Sequence, residues 1–565
     1  MIKNMKGISG FTEISVYLFL IFIFPFLFIP YGLDYTDGPF HFLAYNGDRP
    51  LIGLRFFYTF GGALWSRLFG DTVLSYRIIT VILLIFSHFV PAYVILRNKV
   101  QFKNILKYVA LSVILTIGTF IYIFGWDIQT LFILSILFIT GYKFLNNPSW
   151  KIILLLGLLS AILVAIRFPN IVVLVPVFLL IIFNKYPNQT IKKKAVLFMV
   201  YLFSFIISFF LIYLFHHKLN QIGIVGNPAI FGFMEATEKL QGDTAYSITE
   251  LMGTYIRHGF RIIEMTGVVL VFVVIWKYKE RFRLKQWMII AIALMFLMIY
   301  FYLYVLTSSY HYYLSFFYSA IAFIILFYLL YKNIGEGNSN IVLFLLFALL
   351  IGFIPSAGSH PGLLKMSRAF LFMLPVLLYF LFNYLPKEDR RGAYIFLIIV
   401  AAFSVFHKTI NSETYEDGRI PQLEATVNHP KLKGIKTTWQ RKEQIETILN
   451  VRDSILKIEP NSDFFYYGKG IHLFRYLTNS KQHYSAHSPL NSFKLDVNSK
   501  EQIDALMDYL NQKNSKTYVF LLFGYPEEHD PMEGGEMEIK LNEKGHKLIS
   551  SGDKWRLFKP GYKPI

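Results

Sequence analysis

The chain has 565 residues, 55% of them hydrophobic, 18% aromatic and only 16% charged, with a mean hydropathy of +0.47. Such a composition excludes a secreted enzyme, a nuclear factor and a coiled coil, and belongs in a bilayer. The absence of cysteine removes disulfide frameworks, cysteine-ligated zinc, iron–sulfur clusters and thiol catalysis. A formal charge of +19 would point to nucleic acid in a soluble protein, yet residues 411–565 hold 22 Lys and Arg against 21 Asp and Glu. The surplus therefore lies in the membrane half. There it gathers in short inter-helix loops: Arg97, Lys99 and Lys103, then Lys192 to Lys194, then Lys277 to Lys285, then Lys387, Arg390 and Arg391. By the positive-inside rule these loops are cytoplasmic, and no nucleic-acid partner is expected.

Lys3 and Lys6 precede the first apolar run, Ile14 to Ile29, which lacks a small-residue cleavage site and reads as a retained helix running outward. Further spans are expected at 72–96, 105–124, 127–145, 152–166, 169–184, 195–215, 262–276, 286–306, 311–331, 341–355, 369–385 and 393–410. Thirteen crossings put every basic cluster on the inner side and the tail outside. The expected fold is a polytopic α-helical membrane protein over residues 1–410 with an extracytoplasmic α/β domain over 411–565.

In the tail, Ser499 and Gln502 form a capping box that opens a helix through about Leu510, and Thr517 to Phe523 is strand-like. A helix near Thr438 to Lys457 leads to a strand at Asp463 to Tyr467, and Lys547 to Ser550 with Trp555 to Lys559 reads as a hairpin. The glutamates at 527, 528, 533, 536 and 538 with Asp530 read as a solvated acidic loop.

The first outer loop places Asp34, Asp37, His41, Asp48 and Arg49 just beyond the first helix. Ionisable groups at that depth usually face a cavity, and a carboxylate there can act as a general base; the plain alternative is a polar surface loop. The run Asp37-Gly-Pro-Phe-His41, then Arg49-Pro50-Leu51, then Leu68-Phe-Gly-Asp71 with Arg77, resembles the opening of GT-C glycosyltransferases. The nearest relatives in that resemblance are bacterial enzymes similar to protein O-mannosyltransferases and lipid A aminoarabinose transferases. It implies inverting transfer of a sugar from a polyprenyl-phosphate carrier to a lipid, glycan or protein acceptor on the outer face. The resemblance makes Asp37 the base, with Asp34 as runner-up, and places Arg49 on the lipid phosphate.

Asp127 follows Trp126 at the start of a helix, where it either orients the acceptor or serves that helix as a cap. Arg167 in Arg-Phe-Pro-Asn170 is either a helix-breaking turn or a phosphate contact. His311, Lys365 and Arg368 are three donors able to converge on an anionic carrier, or else to touch lipid headgroups. The stretch His216 to Arg261 has the length of a mobile lid, and His216-His217 reads as a helix-end pair rather than a zinc site. No cofactor is required by these residues; the lone first-loop acid favours metal independence, with a divalent metal left open.

Phosphate-binding glycine loops and hydrolase motifs are absent. The alternative functions are a lipid-linked glycan polymerase or ligase, a transporter or flippase of lipid-linked sugars, and an envelope scaffold. Abundant Ile, Phe, Asn and Lys point to an AT-rich bacterium, hence to the inner membrane with a cytoplasmic N-terminus and a periplasmic tail.

Overall fold

A computed structural model describes residues 2–35, 37–46, 57–119, 122–184, 190–222, 248–278, 312–358, 362–415, 417–468, 470–480, 499–512, 517–522, 536–552 and 555–560, with a few positions between 281 and 295. The membrane half contains α1 (Ile2–Phe22), α2 (Asp37–Tyr45), α3 (Phe57–Phe69), α4 (Val73–Leu96), α5 (Phe102–Ile117), α6 (Trp126–Asn146) and α7 (Trp150–Ile166). It continues with α8 (Leu174–Phe183), α9 (Ile191–Gln221), α10 (Ile248–Lys277), α11 (Tyr312–Gly335), α12 (Ser339–Phe353), α13 (Met366–Tyr384) and α14 (Lys387–Phe406). Among the described residues, eight helices are long and apolar enough to cross a membrane. The span expected at 286–306 lies largely outside the described residues.

Several boundaries differ from expectation for identifiable reasons. The first outer loop is partly helical, because α2 and α3 pack against each other and bury Phe42, Tyr45 and Tyr58. α5 stops at Ile117 rather than 124; beyond it the Tyr45 hydroxyl donates to the carbonyl of Phe124 in non-helical chain. α9 and α10 run past their apolar stretches, so that 216–221 and 248–261, expected as loop, are helical. Hydropathy marks the part of a helix that meets lipid, whereas intrahelical hydrogen bonds carry it further.

The Leu-Phe-Gly-Asp stretch is the joint between α3 and α4. Gly70, at φ +92, ends α3 in the left-handed region that favours glycine, and its amide donates to the Ser66 carbonyl at 2.9 Å. Thr72 caps α4 by accepting the Ser75 amide at 3.1 Å. Arg77 on α4 then donates to the carbonyls of Ile29 (2.7 Å), Tyr31 (3.2 Å) and Gly32 (2.6 Å), closing the open end of the first membrane segment.

Among the described residues the tail holds three small sheets. The pairs β1 (Glu413–Thr414) with β2 (Gly418–Arg419), and β3 (Ala425–Thr426) with β4 (Lys436–Thr437), are antiparallel. The helix α15 (Trp439–Ile458) leads to β5 (Asp463–Gly468), followed by α16 (Ile471–Thr478) and α17 (Lys500–Gln512). Then come β6 (Thr517–Leu522), α18 (Glu536–Glu543), β7 (Lys547–Gly552) and β8 (Trp555–Lys559). The main sheet has order β5-β6-β8-β7, with β5 and β6 parallel and the other pairs antiparallel. β6 is buried at every position, as a central strand covered on both faces should be. The expected helices, strands and hairpin of the tail are therefore present, and Ser499 accepts the Gln502 amide at 3.4 Å. Of the expected acidic loop, 527, 528, 530 and 533 lie outside the described residues; Glu536 and Glu538 open α18, where Glu538 pairs with Arg556 at 2.6 Å.

Tail and membrane half interlock. The Leu33 amide donates to Asp417 at 2.7 Å, the Gly32 amide to the Lys436 carbonyl at 2.9 Å, and the Lys436 amide to the Pro30 carbonyl at 2.6 Å. Arg441 of α15 donates to the Leu33 carbonyl and lies 4.3 Å from the Tyr35 ring centroid. Lys431 pairs with Asp71 at 3.2 Å, and the Tyr476 hydroxyl donates to the Asp71 carbonyl at 3.0 Å.

Candidate functional site

The site lies at the end of the helix bundle that carries the tail, and it begins with α2. Asp34 is buried and accepts the Gly38 amide at 2.5 Å, satisfying one of the free donors at the helix start. That gives Asp34 a structural task. Asp37, in the first turn of α2, is exposed. One turn on, His41 is buried against Trp126 (ring centroids 4.5 Å) and Tyr58 (5.5 Å). Gly125 permits this approach, because a Cβ there would lie 2.6 Å from His41 Nε2. His41 thus serves as the wedge that seats α2 on the start of α6, placing Asp37 about 6 Å along the helix axis from that contact.

Beside Trp126, Asp127 sits in the first turn of α6, whose cap position is Gly125, so Asp127 is not the cap residue. Its carboxylate meets Lys365 Nζ at 2.8 Å and Arg368 Nη1 at 3.3 Å. The side chains are part-buried, with Asp127 29% exposed and the two cations 14% and 18%. Arg167, at the end of α7, lies close enough to act on the same carboxylate and donates to the Pro355 carbonyl at 3.0 Å. Three cations around one anion leave two positive charges in excess at low exposure. Such a cluster favours an incoming anion, and guanidinium and ammonium donors suit a phosphate.

The first part of α10 packs beside the segment that carries Lys365. Tyr255 of α10 donates to the Ser356 carbonyl at 2.6 Å, and His258 lies against Gly362. The last part of the expected lid, 248–261, is therefore helical and docked, while 223–247 lie outside the described residues. His216 Nε2 lies 3.3 Å from Thr59 Oγ1, whereas His217 Nε2 lies 3.2 Å from Gln221 Nε2, so neighbouring positions on one helix point apart. Among the described residues no three His, Asp or Glu side chains are grouped for a metal.

Burial pushes the hydroxyls of Tyr35, Tyr45 and Tyr476 well up, and that of Tyr415 up to about 12 against the opposing charge of Arg77. These phenols remain protonated at neutral pH and cannot supply a base. Asp37 is the carboxylate in α2 with an exposed side chain.

Of the expected site residues, the structure gathers Asp127, Arg167, Lys365 and Arg368, and puts His41 and Asp37 on the adjoining helix. Arg49 and His311 lie outside the described residues. Asp417 and Arg441, which hold the chain leading into α2 and pair with each other, carried no signal in the sequence, because the Leu33 amide and carbonyl they hold lie 384 and 408 positions away. No protein-family model matches the chain, and no curated protein matches it.

Proposed function

We propose that this protein is an integral membrane glycosyltransferase of the GT-C kind, using a polyprenyl-phosphate-linked sugar as donor and a lipid, glycan or protein acceptor on the periplasmic side. The observation that carries the proposal is the gathering of Asp127, Lys365, Arg368 and Arg167 from three distant segments beside α2. A glycosyl phosphate already holds a good leaving group, so transfer needs a base for the acceptor and cations for the departing phosphate. Asp37 takes the acceptor proton. The acceptor oxygen attacks the anomeric carbon with inversion, the carbon–oxygen bond to phosphate breaks, and the polyprenyl phosphate leaves against Lys365, Arg368 and Arg167.

In the same reading, the chain crosses a bacterial inner membrane thirteen times. Eight long apolar helices and the shorter apolar stretches Thr12–Phe22, Trp150–Ile166 and Phe168–Phe183 support part of that number; the proposal adds α5 and the span expected at 286–306. Alternate crossing brings the basic loops to one end, where Lys99 lies over Tyr142 (5.0 Å) and Phe380 (5.4 Å), and the tail to the other. That arrangement supports a cytoplasmic N-terminus.

The test is sugar transfer by membranes containing full-length protein, read with mass spectrometry of the carrier bound to the purified protein. Asp37→Asn is expected to lower transfer by about 10²–10⁴-fold while retaining carrier, and Arg368→Ala to lose carrier. Full activity in Asp37→Asn removes it as the base. Purified protein holding only bulk phospholipid, with export of lipid-linked sugar in vesicles, replaces the enzyme with a transporter.

A further inference from the structure

At the opposite, basic end of the bundle, α10, α11, α13 and α14 enclose a cavity of about 650 Å³. Its walls are apolar: Val269, Phe272, Ile321 and Ile325 are all buried. The rim is different in kind, because Lys277 ends α10 and Lys332 lies near the end of α11, with Tyr331 and Tyr384 beside them. Along α11 the lining runs from Ile321 to Lys332, about 16 Å at 1.5 Å per residue, and along α10 from Val269 to Lys277, about 12 Å. Half of a hydrocarbon core about 30 Å thick is about 15 Å, so the slot has the depth of one leaflet. Val273 and Tyr331 are exposed, which opens the slot sideways to lipid.

The rim charges favour one occupant. Asp389 lines the slot too, but its carboxylate accepts the Trp276 indole N–H at 3.1 Å; Glu336 accepts the Tyr384 hydroxyl at 3.0 Å. Against these stand Lys277 and Lys332 at the rim, with Lys387, Arg390 and Arg391 on the adjoining turns of α14. Basic residues at a membrane surface draw anionic headgroups, and aromatic side chains anchor that level.

We infer that this slot is a binding site for an anionic phospholipid, with one acyl chain between the four helices and its phosphate on Lys277 and Lys332. The site is separate from the Asp127 cluster and does not depend on the transferase reading. Bound lipid ties the ends of four helices together, so it stabilises the bundle from the side opposite the tail.

The experiment uses full-length protein in detergent, stripped of lipid and offered phosphatidylglycerol or phosphatidylcholine with identical acyl chains, read by native mass spectrometry and thermal unfolding. Phosphatidylglycerol should bind one copy more tightly than phosphatidylcholine and raise the unfolding temperature. A factor of about five per lysine, roughly 25-fold for the pair, is expected from the surface charge effect and should vanish in the surface variant Lys277→Gln/Lys332→Gln. Ala393→Trp or Ile325→Trp, either of which fills the slot, should weaken both lipids. An unchanged headgroup preference in the lysine variant overturns the proposal. So does full lipid binding in both filled variants, or a change of oligomeric state on filling, which makes the slot an interface between copies.

Discussion

The two ends of the helix bundle use charge in opposite ways. At the tail-bearing end the charged side chains are buried or part-buried and matched to particular atoms: Asp127 to Lys365 and Arg368, Arg77 to three carbonyls, Asp417 to Arg441 at 3.4 Å. At the other end Lys99 and Lys107 lie over aromatic rings, and Lys103 pairs with Glu13 in an exposed contact. The first arrangement fixes the relative positions of the groups it joins. The second leaves its charges in accessible contacts, where the number of basic residues matters more than their exact placement.

The interlock should break that comparison most visibly. Asp417 has no exposed side-chain surface and holds the Leu33 amide, both Thr437 and Thr438 hydroxyls and Arg441. Replacing it by Ala leaves a buried guanidinium without its counter-charge, at a cost of roughly 3–5 kcal/mol. Hydrogen exchange is expected to accelerate at the Leu33 and Gly32 amides and in α2, while α6 and α7 stay protected. Uniform loss of protection across the bundle refutes a local latch.

Asp127→Ala comes next. It strands Lys365 and Arg368, yet partial exposure of the trio reduces the penalty to about 2 kcal/mol. Thermal unfolding should drop, and added inorganic pyrophosphate should restore part of the loss by occupying the vacated anion position. No recovery at any pyrophosphate concentration would mean that the three cations do not converge on an anion site.

These two clusters were unequally legible. A charge at the edge of an apolar run stands out, so Asp127, Arg167, Lys365 and Arg368 were visible one by one. Their meeting was not, because Asp127 and Lys365 are 238 positions apart and no local pattern encodes that contact. α2 was hidden by its own composition: a nine-residue segment beginning Asp-Gly-Pro reads as a turn, and it is helical because Phe42 stacks on Tyr76 at 4.3 Å and packs against Tyr476 at 5.2 Å. In the tail, β5, β6 and the β7–β8 hairpin were legible from short apolar, aromatic-rich runs bounded by turn residues, whereas the two-residue strands β1 to β4 and the helices α16 and α18 were not expected. The tail's docking was not legible either, since it runs largely through backbone amides and carbonyls that every residue has.

A smaller effect is expected from pH, and it falls on the tail. Burial pushes His429 and His546 below the ordinary imidazole range, with Lys431 and Lys544 respectively adding to the shift. The unfolded chain then binds protons near pH 6.5 that the native tail refuses, so stability is complete above that pH and declines as pH falls below it. Unfolding followed by Trp555 fluorescence should shift to lower temperature between pH 7 and 5. His546→Gln should flatten that slope; an unchanged slope in a variant carrying both His546→Gln and His429→Gln assigns the acid sensitivity to other groups.

The smallest effect belongs to the basic end. Lys99 lies near three rings, those of Tyr142, Tyr379 and Phe380, at 5.0, 5.8 and 5.4 Å. A cation over an aromatic face at an accessible site contributes about 0.5–1 kcal/mol, so Lys99→Ala should lower the unfolding temperature only slightly. Lys99→Arg should restore it, because a guanidinium also stacks on rings, whereas at Asp127 the geometry is specific and Lys365→Arg should not reproduce the native pairing. Were Lys99→Ala as damaging as Asp127→Ala, the two ends would share one electrostatic logic, and the contrast between a geometric site and an anchoring belt would fail.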